Sequence, residues 1–163
     1  MKYESDSIEN STKDNAGGLC YFHFVPKEWI QDDAELSIAS NIVNAAISLA
    51  GSYQWLKAQC MQDTMGYTEA QEETPAGTKY VQTLVGEING DNENMLQIMN
   101  ALPDHEYVVI YTDRQGQRKL IGNKLKGMSF QAVYAIGSKY VDKQSYRLTL
   151  VHESAERAPL YPY

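Results

Sequence analysis

Apolar positions along this chain recur mostly every second residue and only briefly every third or fourth, so strands dominate the expected structure. The run Leu19-Cys20-Tyr21-Phe22-His23-Phe24-Val25, stopped by Pro26, predicts a strand buried on at least one face, and residues 26–30 then turn the chain. Two more strands are expected at residues 44–49 and 53–61, separated by Ala50-Gly51-Ser52; in the second, Tyr53, Trp55 and Lys57 alternate with Gln54, Leu56 and Ala58. Ile38, Ile42, Ala45, Ala46 and Leu49 also satisfy helical spacing, which leaves a helix over residues 38–49 as an alternative.

Residues 65–73 and 78–88 flank Thr74-Pro75-Ala76-Gly77, where proline presets one turn position and glycine closes the loop, predicting a long protruding hairpin with Glu69, Glu72 and Glu73 on its acidic arm. Gly90-Asp91-Asn92 supplies an N-cap for a helix that places Met95, Leu96, Ile98, Met99 and Leu102 on one face until Pro103 ends it. The continuous β-branched run at residues 107–112 marks a central strand covered on both faces, and Asp113-Arg114-Gln115-Gly116 turns it back into residues 118–122. Strands at 130–136 and 145–152 complete the set, the last with Tyr146, Leu148 and Leu150 alternating against Arg147 and Thr149. The order of elements predicts a mainly β fold, a β-sandwich or partly closed barrel with one short α-helix packed on it, with α+β as the second choice.

Residues 1–18 (MKYESDSIENSTKDNAGG) are polar and mixed in charge, without an apolar stripe. Such a segment cannot bury enough of its own surface to become ordered alone, so the expectation is an extended N-terminal arm that orders against a neighbouring subunit, followed by a single β-rich domain at 19–163. A chain of 163 residues removes about 70% of its extended surface on folding and needs no metal or disulfide to hold it. The two cysteines, Cys20 and Cys60, fit a reducing cytoplasm better than a disulfide framework. No apolar run approaches the roughly 20 residues that cross a bilayer, and residues 1–11 lack the apolar core of a secretion signal, so no membrane partner is expected.

Candidate chemistry is sparse. The three histidines, His23, His105 and His152, make no i, i+4 pair, and neither cysteine has a C-x-x-C partner. There is no G-x-S-x-G elbow, phosphate-binding loop or dinucleotide-binding glycine pattern, and Asp91-Asn92-Glu93-Asn94 lacks the alternating ligands of a calcium loop. These absences point to a protein that is not an enzyme and holds no cofactor or metal.

Charge placement is the informative signal. The net charge is −7, yet residues 1–30 carry five acids and three bases, 31–103 ten acids and two bases, and 104–163 six acids and nine bases. An acidic total disfavours sequence-independent nucleic-acid binding, while an acidic side and a basic side on one subunit suit head-to-tail assembly through different patches. The twelve tyrosines, against three phenylalanines and two tryptophans, suit half-buried strand faces and protein contacts.

Phe24-Val25-Pro26-Lys27, Tyr53-Gln54-Trp55, the stretch from Val109 through Gly116 to Leu120-Ile121-Gly122, Tyr146-Arg147-Leu148-Thr149-Leu150 and Ala158-Pro159-Leu160-Tyr161 together resemble segments of small virion proteins of tailed phages, in particular the neck or tail proteins of phages of gut Bacteroidetes, including the crAss-like group. The resemblance implies a subunit of a head-to-tail connector or tail ring, repeated in a homo-oligomer of six- or twelve-fold symmetry and docked on other neck or tail proteins or the portal. DNA then passes nearby without being specifically bound, and the protein resides in the virion after assembly in the host cytoplasm. No catalytic residue follows from it.

Polarity and expected exposure nominate the contact residues: Tyr3 in the arm; Glu69, Glu72, Glu73 and Lys79 in the hairpin; Arg114, Arg118, Lys119, Lys124 and Lys126 in the basic segment; and Tyr161 and Tyr163 near the C-terminus. Two alternatives stand beside this reading. One is a small-molecule-binding or enzymatic β-barrel using His105 or tyrosines at the barrel mouth. The other is a DNA-packaging accessory touching DNA through Lys119, Lys124 and Lys126.

Overall fold

The computed structural model describes residues 19–32, 38–39, 41–61, 63–89, 93–138 and 144–163. The expected arm at 1–18, with Tyr3, and the expected N-cap at 90–92 lie outside them. In chain order the elements are β1 (Leu19–Pro26), a 3-10 turn (Lys27–Trp29), β2 (Ile30–Asp32), β3 (Ile38–Ala39), β4 (Ile42–Val43), β5 (Ser48–Leu49), β6 (Leu56–Gln59), β7 (Gly66–Thr74), β8 (Gly77–Asn89), α1 (Glu93–Ala101), a 3-10 turn (Leu102–Asp104), β9 (Tyr107–Asp113), β10 (Arg118–Ile121), β11 (Ser129–Ile136) and β12 (Gln144–Ser154).

Two four-stranded antiparallel sheets carry the fold, ordered β10-β9-β1-β6 and β11-β12-β8-β7. Both are open, so the architecture is the sandwich, not the partly closed barrel, and with one short helix it is mainly β, not α+β. Period-two alternation decides what lies between the sheets. From the first sheet Phe22, Val109, Tyr111 and Ile121 face Leu84, Phe130, Tyr146, Leu148 and Leu150 of the second, all within one buried cluster. Tyr67 and Tyr111 meet across it with ring centroids 4.6 Å apart.

The opposite face of the first sheet is covered too. Val25, Val108, Ile110 and Leu120 join Ile30, Val43, Ile47 and Tyr161 in a second cluster beneath the ribbons β2-β5 and β3-β4. This explains why β9 reads as a continuous apolar run: Val109 and Tyr111 serve one cluster, Val108 and Ile110 the other. Trp29, stacked on Tyr53 at 4.2 Å and 7°, and Trp55 both pack on the second cluster.

Three sequence expectations need correction. Residues 38–49 form no helix among the described residues; they make β3, β4 and β5, and Asn41 at φ 61° breaks the chain between β3 and β4 in a left-handed conformation that asparagine tolerates. The strands expected at 44–49 and 53–61 shrink to β5 and β6, since the Tyr53 ring is engaged by Trp29 instead of the sheet. On α1, Met99 is buried and Leu102 beyond it half-buried, whereas Leu96 and Ile98 are 49% and 44% exposed. Leu96 lies about a quarter turn or more away from the Met99 and Leu102 line, so a single face cannot hold them all.

Candidate functional site

The pleat of the β7–β8 hairpin turns Tyr67 and Glu69 inward, opposite Leu84 and Gln82. Glu69, nominated as an exposed contact, is in fact a buried junction, its side chain 10% exposed. Its Oε1 accepts hydrogen bonds from the Tyr67 hydroxyl at 3.0 Å, Gln82 Nε2 at 3.2 Å and the Ala158 N–H at 2.8 Å, and its Oε2 from Arg157 Nη1 at 3.0 Å. Burial by itself raises the pKa of this carboxyl, but the Ala158 N–H, Arg157 and Tyr67 outweigh it and hold the group below the usual carboxylate range. Toward the tip Glu72 and Glu73 are exposed and Lys79 is half-buried. Lys79 Nζ stands 3.3 Å from Glu72 and 3.3 Å from Glu153, and Glu73 accepts from Thr78 Oγ1 at 3.0 Å.

The basic segment does not form one free stripe. Arg114 pairs with Asp63 at 2.6 Å, and Arg118 donates to the Tyr163 carbonyl while its guanidinium lies 5.5 Å from the Tyr161 ring centre. Lys119 bridges to Leu160 through the main chain, and Lys124 Nζ donates to the Gln31 carbonyl at 2.6 Å. Lys126 is exposed in the loop capped by Asn123, whose Oδ1 accepts its N–H at 2.9 Å.

Tyr161, also nominated as a contact, belongs to the core. It is 4% exposed and its hydroxyl accepts the Ile47 N–H at 3.1 Å. Residues 159–161 run between β10 and β4, with Leu120 N–H to Pro159 O at 3.0 Å, Tyr161 N–H to Arg118 O at 2.9 Å and Val43 N–H to Leu160 O at 2.9 Å. An apolar ring with a single polar tip fits a slot on its own subunit, which is why the segment turns inward. Tyr163 is 47% exposed and donates its hydroxyl to the Asn44 carbonyl.

Groups suited to catalysis are dispersed. His105 is exposed, its Nδ1 3.9 Å from Glu28, and lines neither cavity described below. Burial pushes the Cys60 thiol up to about 11, a poor nucleophile at neutral pH. Among the described residues no three His, Cys, Asp or Glu side chains cluster as metal ligands, and no helix is long and apolar enough to cross a membrane.

Two features emerge only in three dimensions. The first is the outer edge of β11, unpaired among the described residues. Its sequence SFQAVYAI has no charge and no proline, and Val133, Tyr134 and Ile136 are 62%, 39% and 58% exposed. The other sheet edges are guarded in the usual ways: β7 by Glu72 and Glu73, β6 by Lys57, and β10 by the covering segment 159–161. Eight residues without a gatekeeping charge are the signal that marks β11 in the sequence. The second is a cavity of about 450 Å³ with Ile30, Val43, Ile47 and Leu120 in its wall and the buried polar residues Gln82 and His152 lining it as well. A smaller, apolar recess of about 260 Å³ lies between Phe22, Phe24, Met99 and Leu150.

In comparisons with known proteins, no family model, no curated protein and no solved structure matches this chain.

Proposed function

We propose that the protein is a non-enzymatic structural subunit that works by self-assembly, in the setting the sequence resemblance suggests: a connector or tail ring of a tailed-phage virion. The unguarded apolar edge of β11 carries this reading. A free edge of eight residues is a template for main-chain pairing, and folds that remain single normally blunt it. Among the described residues three edges of the two large sheets are blunted and the fourth is left open, with Val133 and Ile136 exposed along it. A neighbouring copy that pairs with it satisfies the outward N–H and C=O groups and buries Val133 and Ile136.

The acidic hairpin tip and the basic loop near Lys126 supply the unlike patches that a head-to-tail ring needs, with the portal or other neck proteins above and below. Of the three lysines behind the DNA-packaging alternative, Lys124 is engaged within the chain, where its Nζ donates to the Gln31 carbonyl, and Lys126 stays exposed.

Light scattering across a concentration series tests the proposal. The wild-type protein is expected to associate, and Val133→Lys to weaken the association at least about tenfold while leaving the circular dichroism unchanged. A wild-type protein that stays monomeric at millimolar concentration overturns it.

A further inference from the structure

The cavity between the second cluster and the end of β12 has a chemistry that assembly does not use. Its wall includes Ile30, Val43, Ile47 and Leu120, and Gln82 and His152, only 2% and 6% exposed, also line it. Two polar side chains buried this deeply carry a desolvation cost unless their hydrogen-bonding groups are met.

The donors of both are already committed. His152 Nδ1 stands 3.2 Å from the Gly127 carbonyl, which can only accept, so the proton of the neutral ring is on Nδ1 and Nε2 bears a lone pair. Burial, the largest influence on this ring, lowers its pKa and keeps it neutral at pH 7. The two hydrogens of the Gln82 amide point to Glu69 Oε1 at 3.2 Å and the Glu156 carbonyl at 3.3 Å. Thus, among the described residues, Nε2 of His152 and the amide oxygen of Gln82 remain, both acceptors.

We infer that this cavity is a binding site for a small neutral molecule with a compact apolar body and a hydroxyl head, the hydroxyl donating to His152 Nε2 or Gln82 Oε1 and the body lying against Ile30, Val43, Ile47 and Leu120. The volume falls within the range of small-molecule pockets, and an apolar wall with a few fixed polar groups is their usual composition. An anion meets two lone pairs at the polar end, and Arg157 and Glu156, which also line the cavity, carry opposite charges that favour neither sign.

The test uses the full chain, with 1-octanol as probe, octyl methyl ether as its counterpart without a donor and octanoate as the anionic one. Binding is followed by the nitrogen-15 resonances of the His152 ring. Octanol is expected to bind saturably and move Nε2, with the ether at least about tenfold weaker because it brings no donor to either acceptor, and octanoate weaker still. Gln82→Leu is expected to weaken octanol about fivefold. The wild-type comparison decides the matter even where that variant folds poorly. Failure of octanol to saturate, or equal binding of alcohol and ether with Nε2 unmoved, overturns the inference. Neither result bears on the association of β11, which light scattering reads separately.

Discussion

Glu69→Ala is expected to lower the unfolding free energy by about 3 kcal/mol, because it removes the acceptor shared by the Tyr67 hydroxyl, Gln82 Nε2, the Ala158 N–H and Arg157 at a half-buried junction. The carboxylate ties the β7–β8 hairpin to the chain nearly ninety residues later, through the Ala158 N–H and Arg157, and across the hairpin to Gln82. Urea titration at constant slope measures the loss as a shift of midpoint. The exposed Glu72, on the same strand, provides the contrast: its alanine variant is expected to stay within about 0.5 kcal/mol of wild type. Equal costs at the two positions would refute the junction at Glu69.

The same group gives the fold an acid limit. Its pKa is depressed in the folded protein relative to the unfolded chain, so its contribution is fully present above the unfolded value of about 4.3 and is lost as pH falls through the folded one. Glu69→Gln, which does not titrate, is expected to flatten that limb of the stability profile while lowering the plateau at pH 7.

Gly127→Ala is expected to cost about 4 kcal/mol, read as a fall in Tm of about 10 °C. A Cβ at this position would stand 2.8 Å from both the nitrogen and the carbonyl oxygen of Tyr107, closer than real contacts allow. Those atoms are already locked to Met128 by reciprocal hydrogen bonds of 3.0 and 2.7 Å, so the main chain at the start of β9 has to move. The neighbouring carbonyl of Gly127 also holds the His152 ring, and the strain passes to the cavity. Gly66→Ala, where the new atom meets only a Val85 methyl at 3.8 Å, serves as the tolerant control.

Much of the sandwich was legible because alternation is a local property. Thr74-Pro75-Ala76-Gly77 fixes the hairpin register down to the Thr74 and Gly77 pair, and the run at 107–112 announces a strand covered on both sides. What alternation lacks is the identity of the partner. Glu69 reads as one more exposed acid until the chain returns at Ala158, and Tyr161 reads as a sticky end until Ile47 supplies a donor for its hydroxyl. Segment 38–49 misleads for a different reason: its closely spaced apolar residues satisfy two periods at once, and the left-handed Asn41 breaks the helical one. The β11 edge was visible as a strand, but its bareness depends on which strands do not lie beside it.

The position of the two indoles has a practical consequence. Trp29 and Trp55 are the only tryptophans, and both rest on the outer cluster, one of them against Tyr53. Tryptophan fluorescence, excited selectively over tyrosine, therefore watches the ribbons come away from the first sheet and not the seam between the sheets. An emission transition that precedes the loss of far-ultraviolet ellipticity marks that covering layer as the first to leave, and the unfolding as more than a single step.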